Sequence, residues 1–307
     1  MSILYWLESI RMPGLNEFML AITTLGEETA FLVLALIVFW CVDKRRGYFL
    51  MSVGFAGTIL NQFLKLWFRI PRPWVLDENF TILEAAREAA TGYSFPSGHT
   101  TSAVGTFGSL AASEKRPWLR NLCIAIAALV GISRMYVGVH TPQDVLVGAL
   151  TSIVLILAFR KITLTDHKVG MKVLVAGMIA MSIGLLLFVT LYPFPADVDT
   201  HNLESGLKNA YTLLGSLVGV AIVYVGEKRF VQFDTKAVWW AQILKAVLGL
   251  AVVLLVKEGL RSPLEAVLPV YPARAVRYFL IVVTAGILWP MTFRFFGKLG
   301  KKKEKVN

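Results

Sequence analysis

The sequence predicts an all-α protein, a polytopic membrane helical bundle with about nine transmembrane spans. Hydrophobic residues make up 56% of the 307 residues, whereas soluble domains contain about 45–50%. They form long, nearly continuous runs instead of the alternating pattern of a membrane barrel. A helix satisfies its own backbone hydrogen bonds, as lipid requires of a spanning segment. We therefore expect the bilayer itself to be a partner of the chain.

The first segment, residues 1–26, is expected to lie on the membrane. It contains Glu8, and it lacks the basic start and the small-residue cleavage site of a signal peptide. Tyr5 and Trp6 suit the membrane interface, and an amphipathic helix there would end near Pro13.

Nine runs follow, and a span needs about 20 mainly apolar residues. In chain order the runs are 27–42, 48–70, 97–113, 119–138, 142–161, 170–191, 208–226, 237–257 and 275–297. Glu27 and Glu28 place the start of the first run near the interface.

Basic residues follow every second run, which is the pattern of cytoplasmic loops. They include Lys44, Arg45, Arg46, Lys115, Arg116, Arg160, Lys161, Lys228, Arg229, Arg294 and the lysines of the tail at 298–305. The loop at 192–207 instead carries three acidic residues and no Lys or Arg. The sequence thus predicts an N-terminus outside and a C-terminus in the cytoplasm. The net charge of +11 is then explained by short loops, so no nucleic-acid partner is expected.

Polar residues mark the outer end of the second run. Lys65 and Arg72 are seven residues apart in the sequence KLWFRIPRPW. This spacing is about two helical turns, so both side chains can lie on one helix face before the prolines end the helix.

The third run begins with the sequence PSGHT. Ser97 can cap a helix there, and Gly98 allows close approach of a ligand to the backbone. The free N–H groups at such a helix start bind anions, and His99 lies within this first turn.

Arg134 lies near the end of the fourth run, and the fifth run begins with residues typical of a helix N-terminus. Thr141 is a good N-cap, Pro142 suits the first helical position, and Asp144 follows three residues after the cap. Asp144 can also orient the imidazole of His140, four residues earlier.

Together these patches predict a phosphate site with acid–base and nucleophilic chemistry. Lys65, Arg72 and Arg134 supply positive charge at membrane depth, where charges are costly without a function. His140, oriented by Asp144, is the candidate nucleophile, and His99 is the candidate general acid. No metal or other cofactor is expected, since cationic side chains take the place of Mg²⁺.

The three stretches resemble the signature of the type-2 phosphatidic acid phosphatase superfamily, which also includes vanadium haloperoxidases and glucose-6-phosphatase. The matching positions are Lys65, Arg72, Pro73, Pro96, Ser97, Gly98, His99, Ser133, Arg134, His140 and Asp144. The resemblance covers roughly residues 27–162. It implies that His140 forms a phosphohistidine, with Asp144 as its partner and His99 as the acid. It also implies five phosphate ligands, namely Lys65, Arg72, Ser97, Gly98 and Arg134.

The resemblance also predicts the organisation of the chain. A six-helix phosphatase core would occupy 27–191, and 192–307 would add three helices and a basic cytoplasmic tail. Such an extension is similar to that of sphingoid-phosphate phosphatases and glucose-6-phosphatase, and Asp144 favours the lipid phosphatases. Residues 77–92 are expected to form a short helical lid over the site.

The expected substrate is a lipid phosphate: polyprenyl pyrophosphate, phosphatidic acid, phosphatidylglycerophosphate or a sphingoid phosphate. The motifs leave open a lipid phosphotransferase, a phospholipid transporter or flippase, and a sugar phosphatase like glucose-6-phosphatase. Short loops suit a bacterial plasma membrane with the site facing outward, and the alternative is the endoplasmic reticulum with the site facing the lumen. The sequence is compatible with a homo-oligomer and leaves the oligomeric state open.

Overall fold

The computed structural model describes residues 1–88, 90–165, 167–196 and 198–299. Their regular structure is entirely helical, as expected. The helices of the first part are α1 (Ser2–Ser9), α2 (Pro13–Thr24), α3 (Glu28–Ile37), α4 (Lys44–Phe68), α5 (Pro73–Leu76), α6 (Gly98–Ala103), α7 (Ser109–Ser113), α8 (Pro117–Tyr136) and α9 (Pro142–Leu164). The remaining helices are α10 (Lys168–Leu191), α11 (Thr200–Gly226), α12 (Trp239–Gly259), α13 (Arg261–Val267), α14 (Val270–Val283) and α15 (Phe293–Phe296).

Seven of the described helices are long and apolar enough to cross a membrane, and the bent pair of α2 and α3 makes up to eight. The expected count of nine is therefore not confirmed. The difference lies at 97–113, where the helix runs from α6 to α7 through a π-helical turn at Val104–Gly108. That segment is shorter than the roughly 20 residues of a full span. The expected acidic loop residue Asp197 and the Lys-rich tail beyond residue 299 lie outside the described residues.

Helix α4 is the central helix of the bundle. It packs against α9, α10 and α11, and it contributes Phe49, Val53 and Ile59 to the largest buried apolar cluster. Helix α6 lies against α4, α8 and α9. Gly148 of α9 permits this packing, because a Cβ there would lie 2.8 Å from the carbonyl oxygen of Ser97. The start of α6 is thus held close to α9.

The C-terminal helices join this bundle through α11. Gly215 and Gly219 of α11 face α14, and a Cβ at Gly215 would lie 2.0 Å from the carbonyl oxygen of Ala275. Small residues allow such close helix packing in membranes. Helix α11 also packs against α10 and α4, so it connects the extension to the rest of the bundle.

Two local expectations are wrong. Helix α4 ends at Phe68, where Arg69 adopts a left-handed conformation with φ of 50°. Arg72 is therefore the N-cap of α5 and does not share a helix face with Lys65. Within the described part of 77–92, helical structure is limited to the single 3₁₀ turn Glu84–Ala86, so this segment is not a helical lid.

Candidate active site

A cavity of about 380 Å³ lies where the ends of four helices and two loops meet. Its walls come from the C-terminal end of α4, the N-terminal ends of α3, α6 and α11, and the loops that precede α6 and α9. Lys65, Arg72, Gly98, His99 and His140 line it. The other three predicted residues, Ser97, Arg134 and Asp144, lie behind this surface and are fully or almost fully buried.

Arg72 is fixed by backbone carbonyl groups. Its Nη2 donates to Thr91 O at 2.7 Å, its Nε to Gly92 O at 3.1 Å, and its Nη1 to Val139 O at 2.9 Å. The Nη1 atom also lies 2.9 Å from Nε2 of His140. The segment before α6 therefore holds Arg72 against the imidazole, a role that the sequence did not reveal for this segment.

His140 and Asp144 form a buried pair. Nδ1 of His140 lies 3.4 Å from Oδ2 of Asp144. If Nη1 of Arg72 donates to Nε2, the imidazole proton is on Nδ1 and faces the carboxylate. In this tautomer the lone pair of Nε2 accepts the hydrogen bond from Arg72, and it becomes available on the cavity wall when Arg72 donates to a bound anion instead.

The first turn of α9 positions the carboxylate of Asp144. Thr141 and Asp144 form the predicted capping box: Asp144 N–H donates to Thr141 Oγ1, and Thr141 N–H donates to Asp144 Oδ2 at 2.8 Å. Ser94 Oγ donates to the same oxygen at 2.6 Å. Oδ2 of Asp144 thus both accepts the capping hydrogen bond from Thr141 N–H and lies beside Nδ1 of His140.

The first turn of α6 faces the cavity. Ser97 is its N-cap and accepts from the N–H of Thr100, as predicted, and its own N–H donates to the carbonyl oxygen of Asp144. Gly98 and His99 line the cavity. Nε2 of His99 is buried and has no hydrogen-bond partner within the described residues.

Lys65 and Arg134 add two buried positive charges. The ammonium group of Lys65 donates to the carbonyl oxygen of Tyr93. Arg134 donates from Nη1 to Thr23 Oγ1 at 2.6 Å. Its Nε and Nη2 are buried and unpaired in the described part of the chain. An isolated guanidinium is costly to bury, so this site favours an anion.

The cations also affect His140. Burial, reinforced by the positive charges of Arg72 and Arg134, lowers the pKa of His140 well below its ordinary value of 6.5. The imidazole is therefore neutral at physiological pH. A neutral imidazole beside an anion-binding pocket is suited to attack on an electrophilic phosphorus.

Several contributing residues were missed from sequence. Ser94 binds Asp144, Thr23 binds Arg134, and Asn61 donates to Pro96 O at 3.1 Å beside the start of α6. Ser94 lies only three residues before the predicted cap, and Asn61 lies one turn before Lys65. Their closeness to predicted site residues was a weak indication that they contribute to the site. Nothing in the sequence indicates a role for Thr23, because its contact with Arg134 depends on how α2 packs against α8.

Comparison with known proteins identifies two family models that match the chain. Residues 45–168 match the model of the PAP2 superfamily, and residues 211–302 match that of the transmembrane extension of PAP2 superfamily phosphatases. No solved structure matches the chain.

Three curated relatives are similar to different lengths of the chain. Phosphatidylglycerophosphatase B of Bacillus subtilis is 34% identical over 152 residues, which is 45% of this chain and 70% of the relative. Undecaprenyl-diphosphatase BcrC of the same organism is 31% identical over 128 residues, or 41% of this chain and 63% of the relative. A dihydrosphingosine 1-phosphate phosphatase of Schizosaccharomyces pombe is 25% identical over 279 residues, or 87% of this chain and 67% of the relative.

Proposed function

Since the chain belongs to the PAP2 superfamily, we propose that it is a membrane lipid phosphate phosphatase that acts through a phosphohistidine. The observation that carries this proposal is the convergence of Lys65, Arg72, His99 and His140 on one cavity, with His140 paired to Asp144. The curated relatives act on phosphatidylglycerophosphate, undecaprenyl diphosphate and dihydrosphingosine 1-phosphate, as their names state. A phosphomonoester or diphosphate of a lipid is therefore the proposed substrate.

In the first step, Nε2 of His140 attacks phosphorus as its lone pair forms an N–P bond. The bond from phosphorus to the lipid oxygen breaks, and its electron pair goes to that oxygen. His99 donates the proton that the leaving alcohol requires, once the bound phosphate dianion offsets the burial and the neighbouring cations that lower the pKa of His99 in the free site. Asp144 stabilises the positive charge that develops on the imidazole of His140.

In the second step, a water molecule attacks the phosphohistidine. His99, now neutral, accepts a proton from this water, the N–P bond breaks, and its electron pair returns to Nε2. Inorganic phosphate is released, and both histidines return to their starting states.

The phosphate ligands stabilise the charge of both transition states. Lys65, Arg72 and Arg134 provide fixed positive charges. Gly98 lines the cavity at the start of α6, where free backbone N–H groups bind anions, and Ser97 supports this helix start as its N-cap. Such preorganised charge is the main contribution that a protein makes to phosphoryl transfer. Because these groups supply the charge, the proposed reaction does not depend on added metal.

We also propose the orientation and division of the chain that its charge pattern predicts. The cavity would face the non-cytoplasmic side, with the N-terminus outside and the C-terminus inside. Residues 1–26 would lie on the membrane, 27–191 would form the phosphatase core, and 192–307 would form the extension. Either a bacterial plasma membrane or the endoplasmic reticulum would then expose the site away from the cytoplasm.

The proposal is tested by phosphate release from a panel of lipid phosphates in detergent, with EDTA present. We expect release by the unaltered protein, and a loss of at least about 1,000-fold in His140→Asn. His167→Asn is the matched control, because His167 is exposed and caps α10 through an atom that Asn can replace.

A trapping experiment tests the intermediate itself. Rapid quenching of the unaltered protein in alkaline denaturant during turnover of a ³²P-labelled lipid should trap an acid-labile, base-stable phosphoprotein, and the label should be absent from His140→Asn. Phosphate release that is indifferent to His140 would contradict the mechanism. Transfer of the label to an added alcohol at the expense of water would instead support the phosphotransferase alternative.

A further inference from the structure

Helix α1 packs against two loops of the phosphatase core. Leu4 is fully buried and belongs to an apolar cluster with Phe80, in the loop that follows α5. Leu7 is also buried and belongs to a cluster that includes Val139, the residue before His140. The N-terminal segment is therefore in contact with the chain that leads directly to the proposed nucleophile.

Arg11, just after α1, joins these two loops. Its Nε donates to Tyr136 O at 3.0 Å, and its Nη1 donates to Thr81 O at 2.9 Å. Tyr136 is the last residue of α8, before the turn that leads to His140. Thr81 lies in the loop after α5, the short helix of which Arg72 is the N-cap. One guanidinium group thus connects the two segments that continue to the nucleophile and to a phosphate ligand.

Two other side chains of α1 bind the loop after α5. Oε1 of Glu8 accepts from Thr81 N–H at 3.0 Å and from the hydroxyl group of Thr81. The hydroxyl group of Tyr5 donates to Oδ2 of Asp77 at 2.8 Å. Residues 77–83 form no helix or strand of their own, so these hydrogen bonds help to fix the loop to which Arg11 is attached.

The turn before His140 is held by groups from outside it. Because it has no long run of helical hydrogen bonds, its path depends on these outside donors. The carbonyl oxygens accept from three separate segments: Tyr136 O from Arg11 Nε, Val137 O from Leu83 N–H at 3.1 Å, and Val139 O from Arg72 Nη1 at 2.9 Å.

The centre of this turn lies against the guanidinium group. Gly138 has a φ of 88°, and a Cβ at this position would lie 2.8 Å from Nη2 of Arg11. Only glycine combines this backbone conformation with such a close approach. Arg11 therefore contacts the backbone two residues before His140.

We propose that Arg11 is a positioning residue for the reaction and that it acts by holding the turn that precedes His140. Arg11 does not line the cavity, so it acts through His140 and not on the substrate. Ile3 and Trp6 of α1 are exposed, so the helix keeps an apolar surface for the bilayer while Arg11 holds the turn. This inference rests on the proposed phosphatase function.

The bonding of Arg11 favours a geometric role over a role in stability. Its Nη2 is buried and has no hydrogen-bond partner among the described residues. The carboxylate of Glu8 lies 3.9 Å from its Nη1, which is too long for a hydrogen bond. An arginine that leaves a buried donor unpaired contributes less to stability than a fully paired one, whereas its two bonds to carbonyl oxygens still fix the turn.

The kinetic test replaces Arg11 by Met, which keeps the packing of the side chain and removes its donors. Phosphate release is measured with phosphatidic acid, phosphatidylglycerophosphate, a sphingoid phosphate and a polyprenyl diphosphate. We expect kcat of Arg11→Met to fall by about 10- to 100-fold, because small displacements of a reacting group have effects of this size. KM should change by less than about threefold, since no contact with substrate is lost.

Two further variants separate positioning from stability. The ammonium group of Arg11→Lys can donate to both carbonyl oxygens, so its kcat should lie between those of Arg11→Met and the unaltered protein. Arg87→Met is the matched control, because Arg87 is an exposed arginine of the same loop that pairs with Glu84 and does not line the cavity. Its kcat should be unchanged.

Hydrogen exchange reports the position of the turn without reference to activity. Local opening is faster where fewer interactions hold the backbone. Peptides that cover 136–140 should therefore exchange faster in Arg11→Met than in Arg87→Met or the unaltered protein, with all three proteins in detergent and at full length.

The outcomes separate this inference from the phosphatase function. An unchanged kcat in Arg11→Met, even with a lower melting temperature, would overturn the positioning role and leave the phosphatase function standing. A higher KM at unchanged kcat, or unchanged exchange at 136–140, would overturn it as well. No phosphate release by the unaltered protein from any lipid of the panel would overturn the phosphatase function and this inference together.

Discussion

The carboxylate of Asp144 combines a structural and a chemical task in one oxygen atom. Oδ2 accepts hydrogen bonds from Thr141 N–H and Ser94 Oγ and lies 3.4 Å from Nδ1 of His140. An amide at this position can keep the cap but loses the negative charge that opposes the charge developing on His140.

We therefore expect Asp144→Asn to lower kcat by about 1,000- to 10,000-fold, with little change in melting temperature. Steady-state kinetics and thermal unfolding in detergent measure the two effects. Asp43→Asn is the control, because the carboxylate of Asp43 also caps a helix, as the N-cap of α4 that accepts from Arg46 N–H, and it does not line the cavity. A large drop in melting temperature for Asp144→Asn would show that the cap, and not the charge, is its main contribution.

Arg134 illustrates the conflict between stability and binding. It is fully buried, and two of its three nitrogen atoms have no acceptor among the described residues. Replacing such a group by an apolar side chain often costs no stability.

Arg134→Met should abolish phosphate release without lowering the melting temperature. It should also abolish the thermal stabilisation by inorganic phosphate, which for an intact site amounts to about 2.7 kcal/mol at 100 times Kd. Thermal shift assays with and without phosphate test both points. Arg69→Met, at a partly exposed position at the end of α4 outside the cavity, is the control and should keep the phosphate response. A variant Arg134→Met that phosphate still stabilises would remove Arg134 from the phosphate ligands.

At the scale of elements, the bend between α2 and α3 controls the position of His99. The two helices meet at 55°, and Gly26 lies in the bend. A Cβ at Gly26 would lie 2.9 Å from the carbonyl oxygen of His99 and 2.8 Å from Val130. Glycine is thus required here by close approach, since α6 and α8 leave no room.

Gly26→Ala should move His99 and lower kcat by about 10- to 100-fold, as small misplacements of catalytic groups do. Circular dichroism should show the same helix content as the unaltered protein. Gly177→Ala provides the comparison, because a Cβ at Gly177 in α10 meets no atom within 4 Å; its activity should be unchanged. Equal activity of both variants would mean that the bend accommodates the methyl group without moving His99.

The helix starts and the end of α4 before its prolines could be predicted from sequence, and the path of the chain after α4 could not. Ser97 and Thr141 act as caps in the way their local sequences indicate, because capping depends on neighbouring residues alone. Helix α4 ends before Pro71 because Arg69 turns left-handed, and the carbonyl groups of 91–92 that then hold Arg72 depend on tertiary packing. The eight proposed site residues nonetheless come together around one cavity.

At the scale of the whole molecule, alternating charge predicts an orientation that can be tested directly. The helix ends and loops that line the cavity are ones that this orientation places outside. The contribution of α11 to the cavity could not be predicted, because it arises from contacts between helices far apart in sequence. The span count differs because the helix from α6 to α7 is shorter than a full span, and α4, α8 and α9 pack against it.

Labelling of single cysteines tests this orientation in intact cells. In a background without Cys41 and Cys123, Glu88→Cys should react with a membrane-impermeant maleimide, and Lys115→Cys should react only after permeabilisation. Both positions are exposed, so a difference between them reports the side of the membrane and not burial. The reverse pattern would place the cavity in the cytoplasm.

The modest size of the cavity has a kinetic consequence. A volume of about 380 Å³ is near the lower end of the range for pockets that hold small molecules. It suits a phosphorylated headgroup, and the hydrocarbon tail of a substrate is then left in the surrounding bilayer. The enzyme would therefore meet its substrate by diffusion in two dimensions. Its rate would follow the mole fraction of substrate among the membrane lipids, and adding inert phospholipid at a fixed total amount of substrate would slow it.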